Sequence, residues 1–394
     1  MQTILIEYIL GSDFMKIVGI ITEYNPFHNG HLYHINKIKE FEKDSIIICV
    51  CSSCFTQRGD VSLLNKWSKT KISIENGIDI VIELPYVFSS QSADIFAKGA
   101  LEILNRIKVD TLIFGSELND VEKLKKIAKR TINNNKYDEL IKKYMNLGLN
   151  YPSASNKATK EIVGDEIITP NDILGLCYIK EILKNNYPIT PVSIKRTNDF
   201  SSVKTTGQIS SATSIREKLK QELDISEFIP NYSQKLIYNK NLIDKNYFKL
   251  LKYKIISEKD LSIYNTVDEG IENKILKNIE SSNNLDELIE KVKSKRYTIS
   301  KLKRMFNHIL VGFTKEDAKK FKNIQYIRIL GFSNKGKSYL NTIKKDVNLI
   351  TNFKRNDMLL LEKKVSDIYS IITNDNMNSI LEYKNKPITR KTDY

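Results

Sequence analysis

The chain has 394 residues, a length at which two domains are the default expectation. Its hydrophobic content of 41% excludes a chain disordered throughout, and no apolar run approaches the roughly 20 residues that a membrane-spanning helix needs. The net charge of +15 is uneven: residues 1–220 carry 29 Lys and Arg against 25 Asp and Glu, while residues 221–394 carry 33 against 22, so the second half suits a polyanionic partner.

Residues 1–14 contain a short apolar stretch with neither a basic start nor a small-residue cleavage site, a poor match to a signal peptide. They read as an N-terminal extension ahead of Met15-Lys16, where the first strand begins. The cysteines are Cys49, Cys51, Cys54 and Cys177. Cys51-x-x-Cys54 is half of a zinc or redox spacing, but no second Cys/His pair follows it. Reduced thiols in a cytoplasmic protein are the better reading.

From residue 15 to 115, strand and helix signals alternate. Apolar runs at 16–22, 45–50, 79–84 and 111–114 predict strands, and helical spacing over 31–41, 67–76 and 93–104 predicts helices. Strands apolar on both faces and separated by helices predict an α/β fold whose parallel sheet is covered on each side. Right-handed crossovers then bring the strand carboxyl ends to one edge. Polar loops follow the strands there. Ser52-Ser53, Gln57-Arg58-Gly59-Asp60 and Lys66-Trp67 come first, then Glu83-Leu84-Pro85-Tyr86, then Gly115-Ser116-Glu117. Glycine directly after a strand lets a ligand approach the backbone, so this edge predicts a nucleotide cleft.

Residues 120–148 read as two charged surface helices. Thr169-Pro170-Asn171-Asp172 opens a helix that runs to about 184, with Asn171 or Asp172 as its cap. A strand over 191–195 ends at Arg196. After a loop at 199–208, Ile209-Ser210-Ser211-Ala212-Thr213-Ser214-Ile215-Arg216 reads as another helix start. There Ser211, Thr213 and free backbone amides can hold phosphate oxygens, with Arg216 one turn inside. From about 225 helical patterns dominate, at 234–238, 247–257, 271–281, 285–292, 300–311, 315–321 and 358–373, and the tail after Lys384 reads as frayed. Within this half, 291–304 gathers lysines and arginines around Tyr297. A charge run is commonly a solvated helix face. The density here, with an aromatic available for stacking, equally suits nucleic-acid contact through Lys295, Arg296 and Tyr297.

The turn joining the first strand to the first helix, Ile20 through His34, holds three of the chain's four histidines, the Asn25-Pro26 turn and Gly30. As metal ligands, His28, His31 and His34 have imperfect spacing and no nearby carboxylate. As a structural residue, one of them, His34 first of all, packs or caps. As phosphate chemistry, His28 and His31 sit one helical turn apart at the positive end of a helix. There they can donate hydrogen bonds to an α-phosphate and offset charge in a pentavalent transition state. The phosphate reading accounts for most of the residues present.

His28-Asn29-Gly30-His31 resembles the HxGH signature of the nucleotidylyl transferase superfamily, and 210–216 resembles its second signature, ISSTxIR, with Ser210 for the leading Ile and Ala212 for a Ser. The longer stretch Glu23-Tyr24-Asn25-Pro26-Phe27-His28-Asn29-Gly30-His31-Leu32-Tyr33-His34 is similar to one family, the tRNA(Met) cytidine acetate ligases. Gln57-Arg58-Gly59, Lys66-Trp67, Val81-Ile82-Glu83-Leu84-Pro85, Ala93-Asp94-Ile95-Phe96-Ala97 and Phe114-Gly115-Ser116-Glu117 support the same match. So do Pro170-Asn171-Asp172-Ile173-Leu174-Gly175, Lys295-Arg296-Tyr297-Thr298 and Ile327-Arg328-Ile329-Leu330-Gly331-Phe332. The resemblance runs from Met15 onward and leaves 1–14 outside it.

The resemblance implies a Rossmann-like α/β nucleotidyltransferase domain with a parallel sheet over 15–224, followed by a mainly helical, basic, tRNA-binding domain over 225–394. It implies that acetate attacks the α-phosphate of ATP to give acetyl-adenylate and pyrophosphate. The wobble cytidine of elongator tRNA(Met) then takes the acetyl group as N4-acetylcytidine. His28 and His31 would be the catalytic residues. The ATP cradle carried over by motif is Ile21, Thr22, Glu23, Tyr24, Asn25, Pro26, Phe27, His28, Asn29, Gly30, His31, Leu32, Tyr33 and His34, with Gly115, Asn171 and Arg196. Magnesium is expected with the triphosphate, without a dedicated metal cage, and neither a membrane nor a protein partner is implied. No general base for acetyl transfer stands out. Two rival readings are an adenylyltransferase acting on a small phosphorylated cofactor precursor and a non-catalytic RNA-binding protein. The first has no use for a basic second half, and the second has none for both histidines.

Overall fold

The computed structural model describes residues 15–196 and 209–390, so the readings of 1–14 and 199–208 lie outside the described residues. Eight strands form one sheet: β1 (Ile17–Thr22), β2 (Ile46–Ser52), β3 (Ile80–Leu84), β4 (Thr111–Ser116), β5 (Thr190–Lys195), β6 (Ile327–Phe332), β7 (Leu349–Ile350) and β8 (Ile388–Thr389). Their order is β5-β4-β1-β2-β3-β6-β7, with β8 on β6. The first five run parallel, as their unbroken apolar sequences predict. Alternate residues feed two cores: Ile48, Val50, Ile80 and Ile82 on one face, Val18, Ile20, Ile47 and Cys49 on the other. The strand order reverses between β1 and β4, and a crevice opens outside their carboxyl ends, where such folds bind nucleotides.

The helices expected in the first half form, and 120–148 resolves into Val121–Thr131 and Asn135–Asn146. A third, unpredicted helix, Tyr151–Val163, follows them, started by Asn150, whose side chain accepts from Ser153 N. The other helices expected in the second half form, but the pattern read over 234–238 does not: the short helix there is Asn231–Gln234 and the chain turns after it. This half also adds β6, antiparallel to β3, and with it β7 and β8. The sheet is therefore continuous across the division read at 224/225. The tail expected to fray after Lys384 instead includes β8 on β6. No helix among the described residues is long and apolar enough to cross a membrane.

A buried ion cluster fastens β3 to the second half. Lys66 Nζ lies 2.9 Å from Glu382 and also pairs with Glu83. Arg328, on β6, lies 3.2 Å from Glu83, pairs with Glu382 and sits over the Trp67 ring. Ser366 Oγ donates to Glu382 at 3.0 Å. All four charged side chains are within 3% of full burial. Burial alone would raise the Glu382 pKa, but the Lys66 and Arg328 charges override it and hold the carboxyl at about 2. Burial and the Glu83 charge push the nearby Glu362 up to about 8, so it adds no fifth charge at neutral pH. These positions correct the sequence reading, which placed Lys66 and Glu83 at the cleft edge: both are consumed in the cluster.

Taking one partner out of such a pair leaves an uncompensated buried charge. Lys66→Met should therefore lower unfolding free energy by about 3–5 kcal/mol. Urea unfolding of the variant beside the unsubstituted chain measures this, and a loss under about 1 kcal/mol would refute a structural role for the cluster.

Candidate active site

β1 ends at Thr22, and the chain turns through Tyr24, with φ of 46°, and the cis Asn25-Pro26 bond into helix Asn29–Phe41. Tyr24 and Phe27 are buried with ring centroids 4.9 Å apart, and Tyr24 meets the His31 ring edge-on at 4.8 Å. His28 is the N-cap. Its Nδ1 accepts from Gly30 N at 3.1 Å, and His31 Nδ1 accepts from His28 N at 3.2 Å. The rings stack with centroids 3.8 Å apart. A Cβ on residue 30 would lie 2.9 Å from His28 Cε1, so the stack over the helix start requires glycine. Because each Nδ1 accepts a backbone N–H, each neutral ring carries its proton on Nε2 and keeps one donor for a ligand.

Burial, then the Arg196 and Arg216 charges, lowers the His28 pKa to about 3. Burial, then His28 and Arg196, puts His31 well below its usual value, and burial with Arg196 takes His34 to about 4. The imidazoles are neutral hydrogen-bond donors at working pH. His34 Nε2 makes no hydrogen bond among the described residues, and the ring lines the cleft.

The second signature lies against the first. Ser211 is the N-cap of helix Ala212–Lys220, with Oγ accepting from Ser214 N at 3.1 Å. Arg216 donates to the Asn25 carbonyl at 2.7 Å and to Thr213 Oγ1 at 3.2 Å, and stands 3.5 Å from Asp60. The hydroxyls of Ser211 and Thr213 are thus engaged in capping and in holding Arg216. Ser210, read only as a departure from the motif, is 2% exposed, lines the cleft and has an Oγ without a hydrogen-bond partner among the described residues.

On the other side of β1, Gly115, Asn171 and Arg196 converge. Arg196 packs over Gly115, where a Cβ would sit 3.4 Å from its Cγ. Asn171 Nδ2 donates to Glu117, and Arg196 Nε stands 3.7 Å from the same carboxylate. Arg196 Nε and Glu117 Oε2 are buried without hydrogen-bond partners among the described residues, which suits a polar ligand group between them. Neither Asn171 nor Asp172 caps the helix that begins here: Thr169 stands at the N-cap, and buried Asp172 accepts from Leu118 N at 2.9 Å and from Ser116 and Thr169.

These groups line one cleft of about 1390 Å³. Of the cradle read from the sequence, Ile21, Thr22, Glu23, Tyr24, Asn25, His28, Gly30, His31, Tyr33, His34, Gly115, Asn171 and Arg196 line it; Pro26, Phe27, Asn29 and Leu32 do not. Phe27 is in the core, and the Asn29 amide reaches the Glu227 carbonyl at 2.9 Å. The 57–60 loop, read in the sequence as one of the polar loops at the cleft edge, forms one wall. Glu23 accepts from Gln57 N at 2.6 Å, while Arg304 donates to Gln57 O at 3.0 Å and Lys303 to Asp60 at 2.8 Å. Burial opposes ionisation of Asp60, but Arg216 and Lys303 hold its pKa at about 2.

The basic segment opens into the same cleft through Arg296, Lys301 and Arg304. Lys295 and Arg296 are exposed, and Arg296 pairs with Glu269 at 3.2 Å. Tyr297 is not available for base stacking as expected: it is 4% exposed, its hydroxyl donates to the Asp268 carbonyl at 2.6 Å, and Lys301 Nζ covers its ring at 3.9 Å. A tyrosine within a basic run reads the same whether its ring is out or in. The described residues contain no grouping of three His, Cys, Asp or Glu able to hold a metal, and Cys49, Cys51, Cys54 and Cys177 are free thiols.

His308, buried near Arg304, is lowered to about 3, mainly by burial. Four neutral histidines make the fold acid-sensitive with a defined sign. The unfolded chain binds more protons below its histidine pKa of about 6.5, so their contribution is whole above that pH and is lost as pH falls toward 3. Imidazole proton resonances of the buried histidines should accordingly titrate well below the free-histidine value, and a midpoint near 6.5 for His28 or His31 would refute the buried neutral pair.

A family model described as HIGH Nucleotidyl Transferase matches residues 15–384. A tRNA(Met) cytidine acetate ligase from Caldicellulosiruptor saccharolyticus is 38% identical over 394 aligned residues, covering 95% of this chain and 98% of that protein. The crystal structure of Thermotoga maritima TmcAL without ligand superposes with a TM-score of 0.87 at 28% identity, covering 96% of this chain and 100% of that one. The same protein bound with α-thio ATP gives 0.85 at 28% identity, with the same coverage. With its two signatures joined at one cleft, the chain belongs to the HIGH nucleotidyl transferases and, among them, to the tRNA(Met) cytidine acetate ligase family.

Proposed function

We infer that this chain is an ATP-dependent tRNA(Met) cytidine acetate ligase. The observation that carries the reading is that the HxGH turn and the basic segment open into one cleft. At about 1390 Å³ the cleft exceeds the roughly 300–1,000 Å³ of a site built for one small ligand, leaving room for a nucleotide and a second substrate. A small-cofactor adenylyltransferase needs no basic end, and a non-catalytic RNA binder needs no pair of neutral imidazoles beneath two arginines.

In the first step an acetate oxygen attacks the α-phosphorus of ATP and pyrophosphate leaves. His28 and His31 present Nε2–H donors to the α-phosphate, whose equatorial oxygens gain charge in the transition state. Arg196 and Arg216 add positive potential. The Asn29–Phe41 helix contributes its amino-terminal dipole from the same side. Gly115, Asn171 and Arg196 form the opposite wall, with Glu117 accepting from Asn171, and Ser210 to Thr213 the phosphate-side helix start. With no metal-holding grouping among the described residues, magnesium would be held by the nucleotide's phosphates and water. In the second step the cytidine amine displaces AMP from acetyl-adenylate, with Lys295, Arg296, Lys301 and Arg304 guiding the RNA. Held nucleophile and mixed anhydride meet at high effective concentration. A cytoplasmic location fits free thiols and a tRNA substrate.

Pyrophosphate release from ATP should require acetate, and labelled acetate should reach tRNA(Met). Release indifferent to acetate would refute the ligase reading, and label that never reaches RNA would leave an adenylating enzyme. Substituting His31→Ala should cut pyrophosphate release about 100-fold or more, as loss of an oxyanion donor does. tRNA affinity should fall steeply with salt, and Arg296→Ala should reduce the slope of log affinity against log salt by about 1. An unchanged slope would remove Arg296 from the interface.

A further inference from the structure

Acetyl transfer releases a proton from the cytidine amine, and none of the residues assigned above receives it. Six carboxylates line the cleft: Glu23, Asp60, Asp94, Asp138, Glu181 and Glu269. Four are engaged. Glu23 accepts from Gln57 N, Asp60 is clamped between Arg216 and Lys303, Glu181 accepts from Asn185, and Glu269 pairs with Arg296. Asp94 and Asp138 have no side-chain hydrogen bond or ion pair among the described residues. Asp138 belongs to helix Asn135–Asn146, which packs on its neighbour Tyr151–Val163.

Asp94 is placed differently. It sits in the first turn of helix Ala93–Arg106, exposed to the cleft, three residues after Gln91. The Gln91 carbonyl accepts from Gln57 Nε2 at 3.1 Å, and Gln57 N donates to Glu23 at the end of β1, so the helix start is tied to the nucleotide turn through one side chain. Its charge is felt by Arg304, Tyr151 and Cys177, which come from three different helices and all line the cleft. Asp94 thus lines the same cleft as the nucleotide turn and as Arg296, Lys301 and Arg304 of the basic segment. The plain alternative is an acidic residue serving its own helix dipole.

We propose that the Asp94 carboxylate is the catalytic acceptor of the proton released from the cytidine amine during acetyl transfer, an assignment that rests on the ligase reading. The nitrogen lone pair forms the C–N bond to the acetyl carbonyl carbon. The bond from that carbon to the adenylate oxygen breaks, and its electron pair leaves on the phosphate of AMP. The N–H proton passes to Asp94 and from there to solvent, which the exposed side chain meets. The first step has no such proton, because acetate attacks as the anion, so Asp94 serves the second step alone.

The test separates the steps in the full-length chain. Acetate-dependent ATP–pyrophosphate exchange reads adenylation, and single-turnover transfer of labelled acetyl to tRNA(Met) reads the second step. Asp94→Asn should keep exchange within about twofold and slow transfer about 100-fold or more, the range of a general base. Asp94→Glu should recover part of the transfer, tRNA affinity should be unchanged, and Asp138→Asn should behave as the unsubstituted chain. Transfer by Asp94→Asn within about threefold of normal would overturn the proposal. So would equal loss of exchange, loss explained by weaker tRNA binding, or the defect appearing in Asp138→Asn instead. Absence of acetate-dependent exchange in the unsubstituted chain would overturn the ligase reading itself, and this assignment with it.

Discussion

Four buried charges hold the molecule together across its sequence. Lys66 and Glu83 come from the first half, Arg328 and Glu382 from the second, and no member finds water to replace a missing partner. Desolvating each ion costs several kcal/mol, offset only when all four meet in good geometry. The cluster is thus an all-or-none condition on β6 lying beside β3 with helices Asp357–Thr373 and Met377–Lys384 closing over it. Glu362, kept neutral by burial and by Glu83, spends an oxygen on Tyr86 N and leaves the charge count balanced.

What this constraint secures is the cleft. With β6 in place, helix Ile299–Val311 lies on the 57–60 loop so closely that a Cβ at Gly59, where φ is +82°, would stand 2.6 Å from Arg304 N. Asn307 donates to the Gly59 carbonyl at 3.0 Å from the same helix. Asp60 then lies between Arg216 of the second signature and Lys303 of the basic segment. The parts proposed to hold ATP and those proposed to meet RNA share side-chain contacts as well as a cavity.

The histidine pair shows how a turn proposed for catalysis tolerates burial. Two imidazolium ions stacked at 3.8 Å beside Arg196 and Arg216 would repel one another and the helix dipole. Neutral rings carry no such penalty, and each keeps an Nε2–H donor. The capping geometry that starts the helix also selects the tautomer, so one pair of backbone hydrogen bonds does both.

Local sequence was enough for the parallel β1–β5 core, because unbroken apolar runs separated by amphipathic helices have few other solutions, and for the histidine turn, because its residues are neighbours in the chain. The same holds for the second signature and for most helices after 225, each marked by its own cap or apolar stripe. It was not enough for β6, whose six residues Ile327–Phe332 carry no periodicity that separates a strand from a buried helical turn. Nor could it tell Lys66 and Glu83, spent in the ion cluster, from cleft residues, or a buried Tyr297 from a stacking one. Side-chain direction and partner choice there depend on elements up to 316 residues away. Chain-local chemistry thus determined the fold type and the histidine turn; the tertiary structure alone decided which charged residues line the cleft and which neutralise one another, since pairing energy depends on separation in space rather than along the chain.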